Sequence, residues 1–217
     1  MAQLLDLTLL GQRGLAAGLG TQLVFWCGQA SYFLVLALFL ESGRGLDPLH
    51  AGLVFSILAA AYLATSMRAP GLTIRYGRSL VAVGALVLAA GHGLLLAAVA
   101  EHGTGGGIGW LIPGLVLAGA GMGLCITPLT TTILAHASPE RAGAVSGALS
   151  TMQQVGNALG VAVTGVLFFS ALHGSGGYAL AFELSLAELG VLLLAVACLT
   201  RLLPRRAGRP AATGGQS

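Results

Sequence analysis

The sequence predicts an all-α integral membrane protein with six transmembrane helices, and two observations carry this prediction. Of the 217 residues, 56% are hydrophobic and only 8% are charged, whereas soluble domains carry roughly 25% charged residues. Six apolar segments, each long enough to cross the ~30 Å hydrocarbon core as a helix, occupy most of the chain. Helices are expected because each one satisfies its own backbone hydrogen bonds in lipid.

The six apolar segments define predicted helices A to F. Their bounds are residues 15–40, 48–67, 79–100, 110–135, 143–172 and 178–203. Residues 1–14 precede this 15–203 transmembrane domain as an N-terminal segment. Residues 204–217 follow it as a tail that is basic and then rich in Gly, Pro and Ala, a composition that predicts disorder.

The positions of the arginines predict the orientation in the membrane. The chain has ten arginines and no lysine, and they form no basic stretch with interleaved aromatic residues, so no nucleic-acid partner is expected. Nine arginines lie at the termini or in every second connection: Arg13, Arg68, Arg75, Arg78, Arg141, Arg201, Arg205, Arg206 and Arg209. Only Arg44 lies in one of the remaining connections. By the positive-inside rule, we expect a multi-pass protein of the cell (plasma) membrane with both termini in the cytoplasm.

The cysteines give no sign of a metal site or of disulfide bonds. Cys27, Cys125 and Cys198 lie far apart within apolar segments, and neither a CxxC pair nor a Cys/His ligand spacing occurs. We therefore expect no metal and no other cofactor.

Predicted helix E carries a polar stripe. Successive residues of a helix rotate by about 100°, which brings five small or polar residues within an arc of about 80°: Gly143, Gly147, Ser150, Gln154 and Asn157. The opposite side is apolar and suits lipid: Val145, Ala148, Met152, Val155, Leu159, Val163 and Val166. Polar groups within a span face protein or water. The stripe therefore either packs against other helices or lines an aqueous cavity, and the two interpretations are compatible.

Predicted helix A has a second stripe on one face. It consists of Gly18, Gln22, Trp26, Gln29 and Phe33. Aromatic surface mixed with neutral amides suits large apolar or cationic molecules. Aromatic residues at helical spacing also occur in ordinary packing, but the two glutamines favour a transport cavity.

Glycines predict where helices cross closely. Small residues allow close approach of membrane helices. The candidates are Gly119 and Gly123 on helix D, and the pairs Gly143/Gly147 and Gly156/Gly160 on helix E. Pro128 predicts a kink or joint near the cytoplasmic end of helix D.

His92, Glu183 and Glu188 are ionisable residues within the predicted spans. A carboxylate in the middle of a bilayer costs on the order of 2–3 kcal/mol or more. Glu188, which lies well inside helix F, is a weak candidate for carrying a proton. Packing of its protonated carboxyl against protein is the simpler explanation.

Four stretches of the sequence resemble one known family. They are LLDLTLLGQRGLAAGL, LALFLESGRGLDPLHAGLVF, PGLTIRYGRSLVAVG and, most specifically, GAGMGLCITPLTTTILAHASPERAGAVSGALSTMQQVGNALGVAVTGVLF. Together they resemble the C-terminal six-helix half of a major facilitator superfamily transporter. The branch they resemble is the bacterial fourteen-span drug:proton antiporters (EmrB/QacA-like). The third stretch resembles the loop motif of that superfamily, with Leu72, Arg75, Gly77 and Arg78 matching, while Pro70 and Ile74 replace its first Gly and its Asp.

The resemblance implies one half, a 3+3 inverted repeat, of a fold made of two halves that rock around a central site. In such a half the first and fourth helices line the cavity, and the second and fifth also face the other half. The third and sixth helices are peripheral, so the resemblance gives no support to His92, Glu183 or Glu188 in proton coupling. The N-terminal half, which carries the complete loop motif in the family, has no counterpart in these residues.

We therefore expect a transmembrane transporter, or half of one, that exports small hydrophobic or drug-like molecules in exchange for protons. Its partners would be the lipid bilayer, a small-molecule substrate, and a second copy or a separate N-terminal half. A truncated or inactive fragment and a non-transporting partner subunit are the alternatives. An intramembrane enzyme with Ser146 as its nucleophile is a further alternative that the sequence supports less. Such a serine needs a histidine base, and the only histidine well inside a predicted span is His92, which has no supporting motif.

Overall fold

The structure is a computed structural model that describes residues 13–134, 142–174 and 176–200. These residues form seven α-helices, which we number in chain order. They are α1 Arg13–Leu38, α2 Pro48–Ser66, α3 Ala69–Tyr76, α4 Arg78–His102, α5 Ile112–Leu134, α6 Ala142–His173 and α7 Gly177–Leu199. A π-helical turn, Phe39–Gly43, extends α1, and a 3-10 turn, Ile108–Leu111, leads into α5.

The prediction of an all-α protein with six membrane spans is confirmed. Six helices of the described residues are long and apolar enough to cross a bilayer: Ala17–Gly43, Pro48–Ser66, Ser79–His102, Ile108–Thr131, Ala142–His173 and Gly177–Leu199. The predicted bounds agree with the observed ones to within a few residues. Residues 1–12 and 201–217, which contain most of the predicted N-terminal segment and the predicted tail, lie outside the described residues.

The helices form two groups that meet at α7. One group packs α1 against α6, and the other packs α5 between α2 and α4, while α7 contacts α1, α4 and α6. At the outer end of the predicted topology, Phe39 stacks on Phe182 with ring centroids 4.4 Å apart, which joins α1 to α7. α2 and α6 bury the smallest shares of their spans, so each of them leaves one face of the bundle uncovered.

Glycines on α5 allow it to pass closely between α2 and α4. Gly119 and Gly123 lie against main-chain atoms of Leu58 and Tyr62 on α2. Gly121, which lies on the opposite face of α5, lies against Leu88 of α4. Main-chain contact therefore replaces side-chain packing at both crossings, as small residues permit between membrane helices. Pro128 lies inside α5, and the helix continues beyond it to Leu134.

The connection between the second and third spans, predicted only as a loop, contains the short helix α3. Pro70 occupies its first turn, where a missing N–H leaves no hydrogen bond unmade. Gly77 ends the helix with a φ of 55°, a conformation that favours glycine. This requirement explains the glycine at that position of the loop motif.

Candidate transport site

The contact between α1 and α6 depends on two glycines of α6. Gly156 lies against the main-chain oxygen of Leu23 and the β-carbon of Trp26, and Gly160 lies against the main chain of Cys27. Because neither glycine has a side chain, the two helix backbones approach closely. Trp26 of the predicted stripe on helix A is thereby placed beside Gly156, the neighbour in sequence of Asn157 from the stripe on helix E.

The polar stripe of α6 lies mostly on the uncovered surface of the bundle. Ser150 and Gln154 are exposed, and Asn157 is half-buried with a buried Oδ1 that has no hydrogen-bond partner. Gly143 and Gly147 are also exposed, with nothing within 4 Å of where a β-carbon would be. This differs from the expected packing role, because neither glycine touches another helix in the described part of the chain.

The apolar side predicted for α6 divides into a buried and an exposed part. Val145 and Ala148 are buried in the bundle, whereas Val155, Leu159, Val163 and Val166 are exposed. The expectation that all of them face lipid was wrong for the first two. The buried residues near the start of α6 are Val145, Ala148 and Leu149, and further along they are four apart, at Gly156, Gly160, Thr164 and Phe168. Since such a row is inclined to the helix axis, it turns around a long helix.

The stripe on α1 also divides, which differs from its expected role as a single cavity lining. Gln22 and Gln29 are each only 3% exposed, and no described residue forms a hydrogen bond with Gln22 Oε1 or Gln29 Nε2. Trp26 is half-buried. Phe33 is 40% exposed and stacks on Phe55 of α2 with centroids 6.0 Å apart. The aromatic members therefore lie nearer the surface than the amides.

Glu188 of α7 has a partner that the sequence analysis missed. The Thr164 hydroxyl of α6 donates a hydrogen bond of 3.2 Å to Glu188 Oε1, while the buried Oε2 has no partner. The pairing could have been found by counting from the short connection between α6 and α7. Thr164 lies nine residues before His173, and Glu188 lies eleven after Gly177, so antiparallel helices bring them to similar depth.

The loop motif lies on α3 and at the start of α4. Leu72 is half-buried, and the Arg75 guanidinium lies 5.4 Å from the centroid of the Tyr76 ring. Gly77 forms the turn between the helices, and the side chain of Arg78 lies outside the described residues. This segment is thus a junction of two helices joined by a turn rather than an extended loop.

Two polar contacts organise the connections at the other end of the helices. Arg44 donates hydrogen bonds to the main-chain oxygens of Gly105, at 2.8 Å, and of Gly106. Burial lowers the pKa of the Arg44 guanidinium from its usual value. Asp47 caps α2 by accepting a bond from the main-chain N–H of His50, at 2.8 Å. This bond and the contact with the His50 ring hold the pKa of Asp47 below its usual value.

Other features of the described residues do not form a site. Among residues 13–134, 142–174 and 176–200, no three His, Cys, Asp or Glu side chains are placed to hold a metal ion. An open groove on the surface of α6 is lined by residues of that helix alone: Ala162, Gly165, Val166, Phe169, Ser170 and His173. With walls from one helix only, it cannot enclose a ligand.

Comparison with known proteins identifies the family. Residues 5–161 match the Major Facilitator Superfamily, and this chain belongs to that family, whose members are transporters rather than enzymes. A probable actinorhodin transporter of Streptomyces coelicolor is 37% identical over 177 residues, which are 79% of this chain and 30% of that protein. The multidrug resistance protein Stp of Mycobacterium tuberculosis is 30% identical over 75% of this chain and 29% of its own length. The cephamycin export protein CmcT of Amycolatopsis lactamdurans is 31% identical over 90% of this chain and 40% of its own length.

The chain thus spans well under half the length of each of these three relatives. Membership of a family of membrane transporters implies a lipid bilayer around the protein. This chain is 30–37% identical to these three proteins, whose names refer to transport, multidrug resistance or export of an antibiotic.

Proposed function

We propose that this chain forms one wall of a proton-coupled export pathway for small hydrophobic or drug-like molecules. In this proposal it corresponds to the C-terminal six helices of a fourteen-span antiporter, lies in the plasma membrane and has both termini in the cytoplasm. The second wall comes from a separate N-terminal half or from a second copy of the chain.

The observation that carries the proposal is the exposed polar stripe on α6. Ser150 and Gln154 lie on a surface that no other helix of the described chain covers. Exposure of an amide to lipid is unfavourable, because its hydrogen bonds are unmade there. The stripe therefore requires either water or polar protein opposite it, and a transport pathway between two walls supplies both.

Trp26 and Asn157 support a substrate-facing part of the wall at the contact between α1 and α6. Both residues are half-buried: the Trp26 ring is an apolar, polarizable surface, and the buried Asn157 Oδ1 is an acceptor without a partner among the described residues. An apolar surface with few polar groups is typical of sites that bind drug-sized molecules. The names of the relatives, which include a multidrug resistance protein and a cephamycin exporter, agree with such substrates.

Glu188 is the proposed carrier of the coupled proton. It is the acidic residue of α7 whose carboxyl contacts another span, through the Thr164 hydroxyl. One oxygen of this carboxyl accepts from Thr164, and the other is buried without a partner among the described residues. Release of its proton would require access to water from one side at a time.

Transport by purified protein tests the proposal. The chain is reconstituted into liposomes, and movement of a fluorescent hydrophobic dye is followed after a pH gradient is imposed, with and without a protonophore. The Gln154→Leu variant should reduce gradient-driven movement more than Leu159→Ala, since Leu159 lies on the apolar side of α6. If dye moves with neither the chain alone nor the chain combined with an N-terminal half, the proposal is wrong.

Dye movement and the upstream coding sequence together distinguish two alternatives. A non-transporting partner subunit would bind another membrane protein through the same stripe, and neither preparation would move dye. An inactive fragment of a longer transporter would be revealed by the coding sequence upstream of Met1, if it contains an N-terminal half in frame or separated by a frameshift. In that case the proposal applies to the longer protein.

A further inference from the structure

Tyr32 of α1 and His92 of α4 form a buried aromatic pair. Their ring centroids are 4.6 Å apart, and their planes are inclined by 33°. Tyr32 is fully buried and His92 is 3% exposed. The pair joins the first and third spans, which otherwise make little contact with each other.

The polar atoms of this pair have no partners among the residues that the structure describes. The Tyr32 hydroxyl and both ring nitrogens of His92 are buried and make no hydrogen bond. The rings face each other, so the hydroxyl and the nitrogens do not bond across the pair. Gln29, one turn before Tyr32 on α1, adds a buried amide nitrogen that also has no partner.

The pair lies far from both ends of its helices. Tyr32 is fifteen residues after Ala17 and eleven before Gly43 in its span, and His92 is thirteen after Ser79 and ten before His102. At 1.5 Å per residue, each lies about 15 Å or more from either end. Bulk water cannot reach these atoms, and leaving a buried polar group without a hydrogen bond is unfavourable.

We propose that Tyr32 and His92 bind internal water between α1 and α4. A neutral histidine has one donor and one acceptor nitrogen, and a tyrosine hydroxyl can donate and accept. One or two water molecules satisfy this set, as buried waters do for other unpaired polar groups in proteins. The ligand is neutral because a cation would require charged or carbonyl oxygen ligands, and no side chain of α4 between Arg78 and Glu101 carries a charge.

Two phenylalanine variants distinguish a pair that binds water from a pair without water. Tyr32→Phe and His92→Phe keep an aromatic ring at each position but remove the polar atoms. If water is bound, each variant leaves that water with fewer partners, so the midpoint of thermal unfolding falls. If the interior is dry, each variant removes an unsatisfied group, and the midpoint stays the same or rises, which would overturn the proposal.

Infrared spectroscopy of the protein in lipid nanodiscs gives a direct signature. An O–H stretch of internal water shifts when the solvent is exchanged for water labelled with the heavy oxygen isotope, whereas a protein O–H stretch does not. We expect such a band in the wild type and in the control His173→Phe, which alters an exposed histidine, and its loss in His92→Phe. If His92→Phe does not fold, Tyr32→Phe, which removes one oxygen atom, takes its place in the measurement and should also lose the band. A wild-type spectrum without an oxygen-sensitive band contradicts the proposal, whether or not the protein transports dye.

Discussion

Gly160 of α6 lies against the main-chain carbonyl of Cys27 on α1, with no room between them for a β-carbon. One turn earlier, Gly156 makes the same kind of contact with Leu23. These two contacts fix the distance between α1 and α6. They also determine that the Trp26 ring and the polar stripe of α6 lie on neighbouring parts of the same wall.

Substitution of Gly160 tests the closeness of this contact. Gly160→Ala should lower the midpoint of thermal unfolding in detergent, because a methyl group there overlaps the backbone of α1, and overpacking typically costs about 1–3 kcal/mol. Gly165→Ala is the matched control, since nothing lies within 4 Å of its missing β-carbon. There the better helix propensity of alanine should leave stability unchanged or slightly raised. Equal midpoints for the two variants would show that α1 and α6 are not in close contact.

Variants of Thr164 and Glu188 distinguish the effect of their hydrogen bond on stability from a role of Glu188 in proton coupling. Glu188→Gln keeps an oxygen that accepts from Thr164, so the fold should persist, but a carboxamide cannot release a proton. We expect this variant to retain the unfolding midpoint of the wild type and to lose the dependence of dye movement on the pH gradient. Thr164→Val should instead lower the midpoint, because it removes the donor. Gradient-driven transport by Glu188→Gln at the wild-type rate would exclude Glu188 as the proton carrier.

Arg44 should hold two connections together. Its planar guanidinium donates to Gly105 and Gly106 at once, a geometry that lysine cannot reproduce. Both Arg44→Lys and Arg44→Ala should therefore speed hydrogen exchange of the Gly105 amide, which donates to His102. Arg68→Ala is the control, since Arg68 donates to Ala64 one turn away at the other end of α2. Unchanged exchange in both Arg44 variants would show that the guanidinium does not restrain the loop.

Asp47 gives the start of α2 a defined dependence on pH. The His50 N–H bond lowers the pKa of the Asp47 carboxyl in the folded protein, so its stabilising effect is present above the pKa of the unfolded chain. It is lost as the pH falls through the lower folded pKa. Protection of the His50 amide, which is its exchange rate relative to an unstructured amide at the same pH, should therefore persist at pH 6 and fall only in strong acid. Asp47→Ala should show little protection at both pH values, and protection that vanishes already near pH 6 in the wild type would contradict the capping role.

Hydropathy was sufficient to predict the six spans, because a membrane helix needs only length and apolarity. The faces of those helices were harder to predict. Val145 and Ala148 lie on the apolar side of a helical wheel and yet are buried, because a wheel averages over a helix whose contact row turns around its axis. Tyr32 and His92 could not be paired from sequence, since nothing in their spacing relates the first span to the third.

The most direct test of the account is the accessibility of α6 to water in native membranes. Cys27, Cys125 and Cys198 are replaced by alanine, and single cysteines are introduced as Gln154→Cys on the polar stripe and as Val155→Cys or Leu159→Cys on the exposed apolar side. Each variant is treated with a hydrophilic thiol reagent. A water-filled transport pathway predicts rapid labelling at position 154 and little at 155 or 159. Equal labelling at the three positions, or faster labelling on the apolar side, would contradict it.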